Sequence, residues 1–452
     1  MNITVYSFSP KNETSLTYHS MLYLQQVFKD DKFNIRLVGG HLEPKPEDVD
    51  AMKDADLVIM CGSLFHLSIH QQQMVYLDKL MADYPELMRS KTFTYYSTSG
   101  KIFDVGAHGY MERFFKNNGL KAVRFCSQYD ASLIQEKGRV EIVTWFKYLK
   151  DVITLGDDVK FNDSEAIVKV VDTSDGNNPE VEATVTAAIK EYETRGAKVT
   201  RINIRDYKIL NCNACFRCYT ERVCCLNKGD DWVKCFEDVY KECDVELIVG
   251  AIHNGTLGPI HKVFLERQVQ LGRFDYDQEH ISAILVDCPE TREGDADLHE
   301  LRIHSEAMAG FGGNTLAEIT RLKDVKRIVN DTVLFYNNDV YPAENFYGLG
   351  IRMKFAKLSV EIKNMTPTDY EHFKQTGDNQ PWQSDIHVMP VHSAEGAMMA
   401  KKGRLFPYKA VIADAEKGKL PDITPRKKLP KEMPKYEYVP EKPKKKGLFG
   451  RK

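Results

Sequence analysis

The chain repeats itself. The segment "ADLVIMCGSLFHLSIHQQQMVYLDK" (55–79) aligns without a gap on "CDVELIVGAIHNGTLGPIHKVFLER" (243–267), with Asp56 against Asp244, Gly62 against Gly250 and Leu77 against Leu265. In both, a short apolar run ends at glycine, passes through a loop of small residues and continues as an amphipathic stretch, the pattern of a buried strand feeding a helix. Upstream, "ITVYSFSPKN" (3–12) matches "VKVVDTSDGN" (168–177) at an offset of 165, whereas the later pair is offset by 188. The second copy has therefore gained 23 residues between its first and third strands.

Each copy holds five strand-like runs separated by helical ones: "ITVYSF", "FNIRLV", "DLVIMCG", "KTFTYYS" and "KAVRFC", then "AIVKVVD", "KVTRINI", "VELIVG", "ISAILVD" and "NTLAEIT". Continuous apolar strands alternating with helices imply a parallel sheet covered on both faces. The expected fold class is α/β, with two tandem flavodoxin-like doubly wound domains of five-stranded parallel sheets and an irregular C-terminal extension. The expected boundaries are 1–157, 164–330, 331–420 for the extension and 421–452 for a basic, Pro-rich, disordered tail. In such a fold the ligand lies beyond the carboxyl ends of the strands, so the loops after strands one, three and four carry the function.

In the first copy the loop after strand one, "SFSPKNETS", offers Ser7, Ser9, Asn12, Thr14 and Ser15 just before a helix. Hydroxyls and backbone N–H groups converging there suit a phosphate, although ordinary helix capping explains the same residues. The later loops supply Ser63, Leu64, Phe65 and His66, and then Thr98, Ser99 and Gly100, a set of small polar groups and an aromatic that suits a planar heteroaromatic ring. The second copy has "DTSDGNNPE" after its first strand, where Asp172, Asp175 and Glu180 would repel a phosphate.

These residues resemble the NAD(P)H-dependent FMN reductases and the iron–sulfur flavoproteins. The likeness rests on "YSFSPKNETSLT", "GSLFHLSIHQQ" and "KILNCNACFRCYTERVCCLNKGDDW" followed by "GAIHNGTLGPIHKVFLER", and covers roughly residues 1–325. It implies non-covalent FMN, NAD(P)H as co-substrate, and a small acceptor such as a quinone or an electron-poor aromatic. Members of the family commonly dimerise with flavin near the interface, so the tandem chain is similar to such a dimer fused into one polypeptide; further oligomerisation stays open. The second copy departs from the pattern at Asp172, Asp175 and His253 and in the acidic loop "DCPETREGD", which leads us to expect one flavin per chain, held by the first copy.

Seven of the ten cysteines fall between Cys212 and Cys243. Cys212, Cys215, Cys218 and Cys224 have the spacing C-x2-C-x2-C-x5-C, which lets four thiolates wrap one cluster. Its resemblance to the iron–sulfur flavoprotein motif implies a [4Fe–4S] centre; zinc, or an empty loop whose thiols pack as small hydrophobes, fits the same spacing. Cys235 and Cys243 are expected to face a core, and His387 and His392, five residues apart in a Pro-containing loop, to be surface histidines.

The start "MNITVYSFSP" lacks a basic segment and apolar run, and no stretch reaches the roughly 18 apolar residues of a membrane span, so the expected location is cytoplasmic. From Thr424 onward eleven Lys or Arg face three Glu, giving a solvated tail or a docking peptide for a protein partner. Nucleic-acid binding is not expected, since no reading module is visible and the remainder of the chain is acidic. The expected function is an NAD(P)H-dependent flavin oxidoreductase; the alternative is a non-catalytic electron carrier that docks a partner.

Overall fold

The computed structural model describes residues 1–64, 66–99, 104–129, 132–215, 226, 229–268, 280–312, 315–340, 357–358, 360–361 and 405–423. The first sheet contains β1 (Asn2–Ser7), β2 (Lys32–Leu37), β3 (Leu57–Ser63), β4 (Thr92–Ser99), β5 (Lys121–Ala122) and β6 (Cys126–Tyr129). Its order is β2-β1-β3-β4-β5, with β6 also on β4, and every pairing is parallel. The second sheet contains β7 (Ile167–Asp172), β8 (Lys198–Asn203), β9 (Val245–His253), β10 (Thr256–Leu257), β11 (Ile281–Asp287) and β12 (Thr315–Arg321). Its order from the other edge is β8-β7-β9-β11-β12, with the short β10 turned back antiparallel on β9. Both domains thus have the doubly wound order read from the repeat.

Equivalent residues play equivalent parts. Asp56 accepts the backbone N–H of Asn2 at 2.8 Å, and Asp244 accepts that of Ile167 at 2.9 Å, so one carboxylate caps the start of the first strand in each domain. Phe8 N–H donates to the Cys61 carbonyl at 2.8 Å and Thr173 N–H to that of Val249 at 2.9 Å, tying each first loop to its third strand.

The helices are α1 (Leu16–Val27), α2 (Pro46–Lys53), α3 (Gln71–Asp83), α4 (Pro85–Arg89), α5 (Asp104–Asn117) and α6 (Glu136–Thr154) in the first domain. Then come α7 (Pro179–Thr194), α8 (Trp232–Tyr240), α9 (Pro259–Gln268), α10 (Arg292–Gly312) and α11 (Val325–Asn337). One apolar cluster joins the two domains. It takes Ile3, Val5 and Ile59 from the first sheet, Phe146 and Leu149 from α6, Val329 and Val333 from α11, and Val168, Val245, Leu247 and Val249 from the second sheet. The helices α6 and α11 meet in this cluster, each covering a face of its own sheet and packing against the other.

The join also has a polar component. The fifth strand of the first domain is broken between β5 and β6, and Arg124 at the break reaches the edge strand β12, donating through Nη2 to the Leu316 carbonyl at 2.9 Å and through Nη1 to that of Ala317 at 2.5 Å. Its guanidinium lies 4.7 Å from the centre of the Phe335 ring, which meets Tyr148 edge-on at 4.8 Å. An unpaired sheet edge is a liability, and here a guanidinium fork closes it.

Helix α11 runs across position 331, where the sequence pattern fades. Within the extension expected to be irregular, α12 (Phe406–Glu416) packs on α1, with Tyr408 fully buried. Its eleven residues are too few to show a clear period in the sequence, and its docking on α1 defines it. The expected surface histidines His387 and His392 and the basic tail from Thr424 lie outside the described residues. Cys235 and Cys243 are buried, as expected.

At the join, Asp331 accepts the Tyr148 hydroxyl at 3.4 Å and pairs with Arg327 at 3.3 Å. Burial, reinforced by the nearby Glu318 carboxylate, raises its pKa to about 7. The native state therefore holds this proton more tightly than the unfolded chain. The resulting stability is full below the ordinary carboxylate range and is lost as pH rises through the raised value. Asp331→Asn should flatten the fall in stability between about pH 5 and 8 and be the more stable form at the upper end; urea unfolding across that range would show it, and an unchanged slope would contradict it.

Candidate functional site

Register places the carboxyl ends of β1, β3 and β4 side by side, with Ser7 against Cys61 and Ser63 against Thr98. Ser7 and Ser9 are fully buried, and the Ser9 and Ser63 hydroxyls stand 3.5 Å apart. The loop after β1 folds tightly: Asn12 N–H donates to the Ser9 carbonyl at 2.9 Å, and Asn12 adopts a left-handed backbone with φ of 44°. Gly39 sits so close that a Cβ there would come within 2.0 Å of the Ser9 carbonyl oxygen. Asn12 Oδ1 is buried without a hydrogen-bond partner among the described residues. A buried, unsatisfied acceptor is costly and marks a place where a donor is wanted.

Two of the expected phosphate-loop residues have local roles. Ser15 caps α1, accepting the Tyr18 N–H at 3.1 Å, and the exposed Thr14 donates back to the Lys11 carbonyl at 2.8 Å. From the other loops, Leu64 N–H donates to the Thr98 carbonyl at 3.1 Å, and the buried Thr98 hydroxyl meets that of Thr17 at 2.8 Å. Ser99 is buried at the end of β4. Phe65 and Gly100 lie outside the described residues. Thr17, Gly39 and Gln72, which donates to the Phe8 carbonyl at 3.0 Å, are not evident from the sequence. The Gly39-Gly40 pair after the second strand is the one signal that points to them.

The turn after β3 separates the domains most clearly. His66 and Leu67 both have left-handed backbones, with φ of 45° and 66°, and Leu67 is 51% exposed. The aligned residues in the second domain are Asn254 and Gly255, with φ of 47° and 73°. Asn-Gly is the pair that such a hairpin turn favours, whereas His-Leu adopts it at a steric cost of about 1 kcal/mol or more per residue.

In the second domain the position of Ser7 is taken by Asp172, whose side chain is 1% exposed. Its Oδ1 accepts the Ser174 N–H at 2.9 Å and hydroxyl at 2.7 Å; its Oδ2 accepts Arg201 at 2.9 Å and Arg205 at 2.7 Å. Burial opposes the charge, but these hydrogen bonds outweigh it and hold the carboxyl below its ordinary range. The carboxylate expected to repel a phosphate is thus itself paired with two arginines. Asp287, at the end of β11, accepts from Asn178 at 2.6 Å.

The cysteine segment leaves the second domain between β8 and α8. Cys212 and Cys215 are exposed, while Cys218 and Cys224 lie outside the described residues, as does Cys225. Among the described residues no group of three or more His, Cys, Asp or Glu is placed to hold a metal. The neck of the segment is fixed: Asp230 Oδ2 accepts the Leu210 N–H at 3.0 Å, and Arg267 donates to the Leu210 carbonyl at 2.9 Å and pairs with Asp230. Both charged side chains are essentially inaccessible, and the guanidinium lies 5.3 Å from the Trp232 ring centre.

No protein-family model matches the chain, and no curated protein matches it. Among solved structures, it is similar to the crystal structure of RosB with a bound 8-demethyl-8-formylriboflavin-5'-phosphate intermediate, at 13% identity and a TM-score of 0.31, over 51% of this chain and 92% of that one. A likeness at this level carries no functional argument. Among the described residues no helix is long and apolar enough to cross a membrane.

The turn gives a direct test. His66→Asn combined with Leu67→Gly should stabilise the protein by about 1 kcal/mol, the relief of the left-handed backbone exceeding the added chain entropy of glycine. Chemical denaturation of the ligand-depleted protein measures this, and equal or lower stability would mean that the turn holds no strain.

Proposed function

We propose that the chain is an FMN-dependent NAD(P)H oxidoreductase that reduces a small acceptor such as a quinone or an electron-poor aromatic. The observation that carries this reading is the asymmetry between the domains. In the first, the ends of β1, β3 and β4 converge on small polar groups, an Asn12 Oδ1 without a partner among the described residues and a costly, exposed turn; in the second, the position of Ser7 holds Asp172, bonded to two arginines. The resemblance of the loops to FMN reductases supports the same assignment.

In this reading Ser9, Asn12, Ser15 and the backbone of the 12–15 turn hold the phosphate, with Ser7 and Thr14 at its margin. Ser63, Leu64 and His66, together with Phe65, Thr98, Ser99 and Gly100, border the ring. Bound FMN supplies hydride acceptance and one- or two-electron release. The residues of the chain orient it: the Thr17–Thr98 hydrogen bond locks the start of α1 to the end of β4, and Leu67 offers an apolar surface beside the ring loop. By their resemblance to the iron–sulfur flavoprotein motif, Cys212, Cys215, Cys218 and Cys224 would hold a [4Fe–4S] cluster, which would supply one-electron transfer, with zinc or an empty loop as the competing occupants.

A charge set against the phosphate discriminates. Thr14→Asp, at an exposed position, should weaken FMN binding by about tenfold or more and lower NAD(P)H oxidation in parallel, whereas Asn177→Asp in the second domain should change neither. Flavin retained in the first variant and lost in the second would overturn the assignment. Flavin binding without turnover on any common acceptor would instead favour the electron carrier, for which the basic tail offers a docking segment.

A further inference from the structure

We propose that Asp172 is a built-in anion: its carboxylate occupies a phosphate-type site in the second domain and keeps that site closed to ligand. The donor set around it is of the kind that recognises a phosphate group. Two guanidinium groups, a hydroxyl and a backbone N–H converge on two oxygens, all at 2.7–2.9 Å. The acceptor they share is a buried side chain at the end of β7, the position that Ser7 holds at the end of β1.

The surroundings restrict what could enter instead. Arg201 also forks onto Glu182, with both hydrogen bonds at 2.6 Å, so part of its donor set is already committed. Arg205 carries no such second carboxylate in hydrogen-bond contact among the described residues; its other partners are the carbonyl and hydroxyl of Ser174 at 3.4 Å. Gly176, with φ of 83°, lies against it, and a Cβ there would approach the guanidinium to 3.1 Å. The loop therefore closes around Arg205 and Asp172 as a unit. Removing the carboxylate leaves a part-buried guanidinium without its partner, a gap that a small oxyanion can fill.

A closed second site explains why the flavin of the proposed function would belong to the first domain, yet testing the closure needs no flavin. Asp172→Ser, which installs the residue of the first domain, and the isosteric Asp172→Asn are compared with the unmodified chain by thermal unfolding in increasing inorganic phosphate. Phosphate should raise the melting temperature of Asp172→Ser, but not of the equally large Asp172→Asn, at a concentration about tenfold or more below that needed for the unmodified chain, and Arg205→Met added to Asp172→Ser should abolish the gain. If Asp172→Ser does not fold in phosphate-free buffer, phosphate should restore its folding. Equal responses of Asp172→Ser and the unmodified chain, a response that survives Arg205→Met, or a failure of phosphate to restore the folding of Asp172→Ser would each overturn the proposal. A chain that binds no FMN at all would overturn the proposed function and leave this result standing.

Discussion

The shared apolar layer between the two sheets is the constraint on which the rest depends. A parallel sheet must be covered on both faces, and here α6 and α11 each cover a face of their own sheet and pack against each other. The domains therefore share one interior layer, while each keeps an apolar cluster of its own besides it. The Arg124 fork on the β12 carbonyls and the Tyr148–Phe335 contact fix the alignment of the halves. With that alignment set, the loops of each domain stand at fixed positions, and the two copies can diverge in their loops without losing the frame.

The divergence is chemical. Both domains build the same turn after the third strand, yet one uses Asn254-Gly255 and the other His66-Leu67. Retaining a side chain at a backbone conformation that disfavours one is a cost, and such costs gather where a side chain is needed. The opposite change occurs after the first strand, where small hydroxyl residues in one domain become a buried, fully bonded Asp172 in the other. One domain keeps an incomplete polar loop, and its twin has completed its own.

Much of this is legible in the sequence because it is local. All ten strand-like runs follow from apolar periodicity, the repeat from the gapless alignment at Gly62 and Gly250, and the sheet order and the choice of loops from the doubly wound fold that alternating strands and helices imply. What stays hidden is long-range. Arg267 and Asp230 are 37 residues apart, Thr17 and Thr98 are 81 apart, and Arg124 meets Ala317 across 193, so no short window of the sequence contains both partners. In the sequence Asp172 looks like a source of repulsion, because its charge is visible there and its arginines are not: Arg201 and Arg205 come from the next strand and the turn after it. The helix Phe406–Glu416 leaves no trace in the pattern because its apolar residues make sense only against α1.

In the function we propose, one domain of the tandem pair holds the flavin and the other does not. Fluorescence titration of FMN into the flavin-depleted full chain tests it most directly, since bound and unbound flavin differ in emission and the break point counts sites. Saturation at one FMN per chain is the expected result. Saturation at two, or no binding, would contradict it.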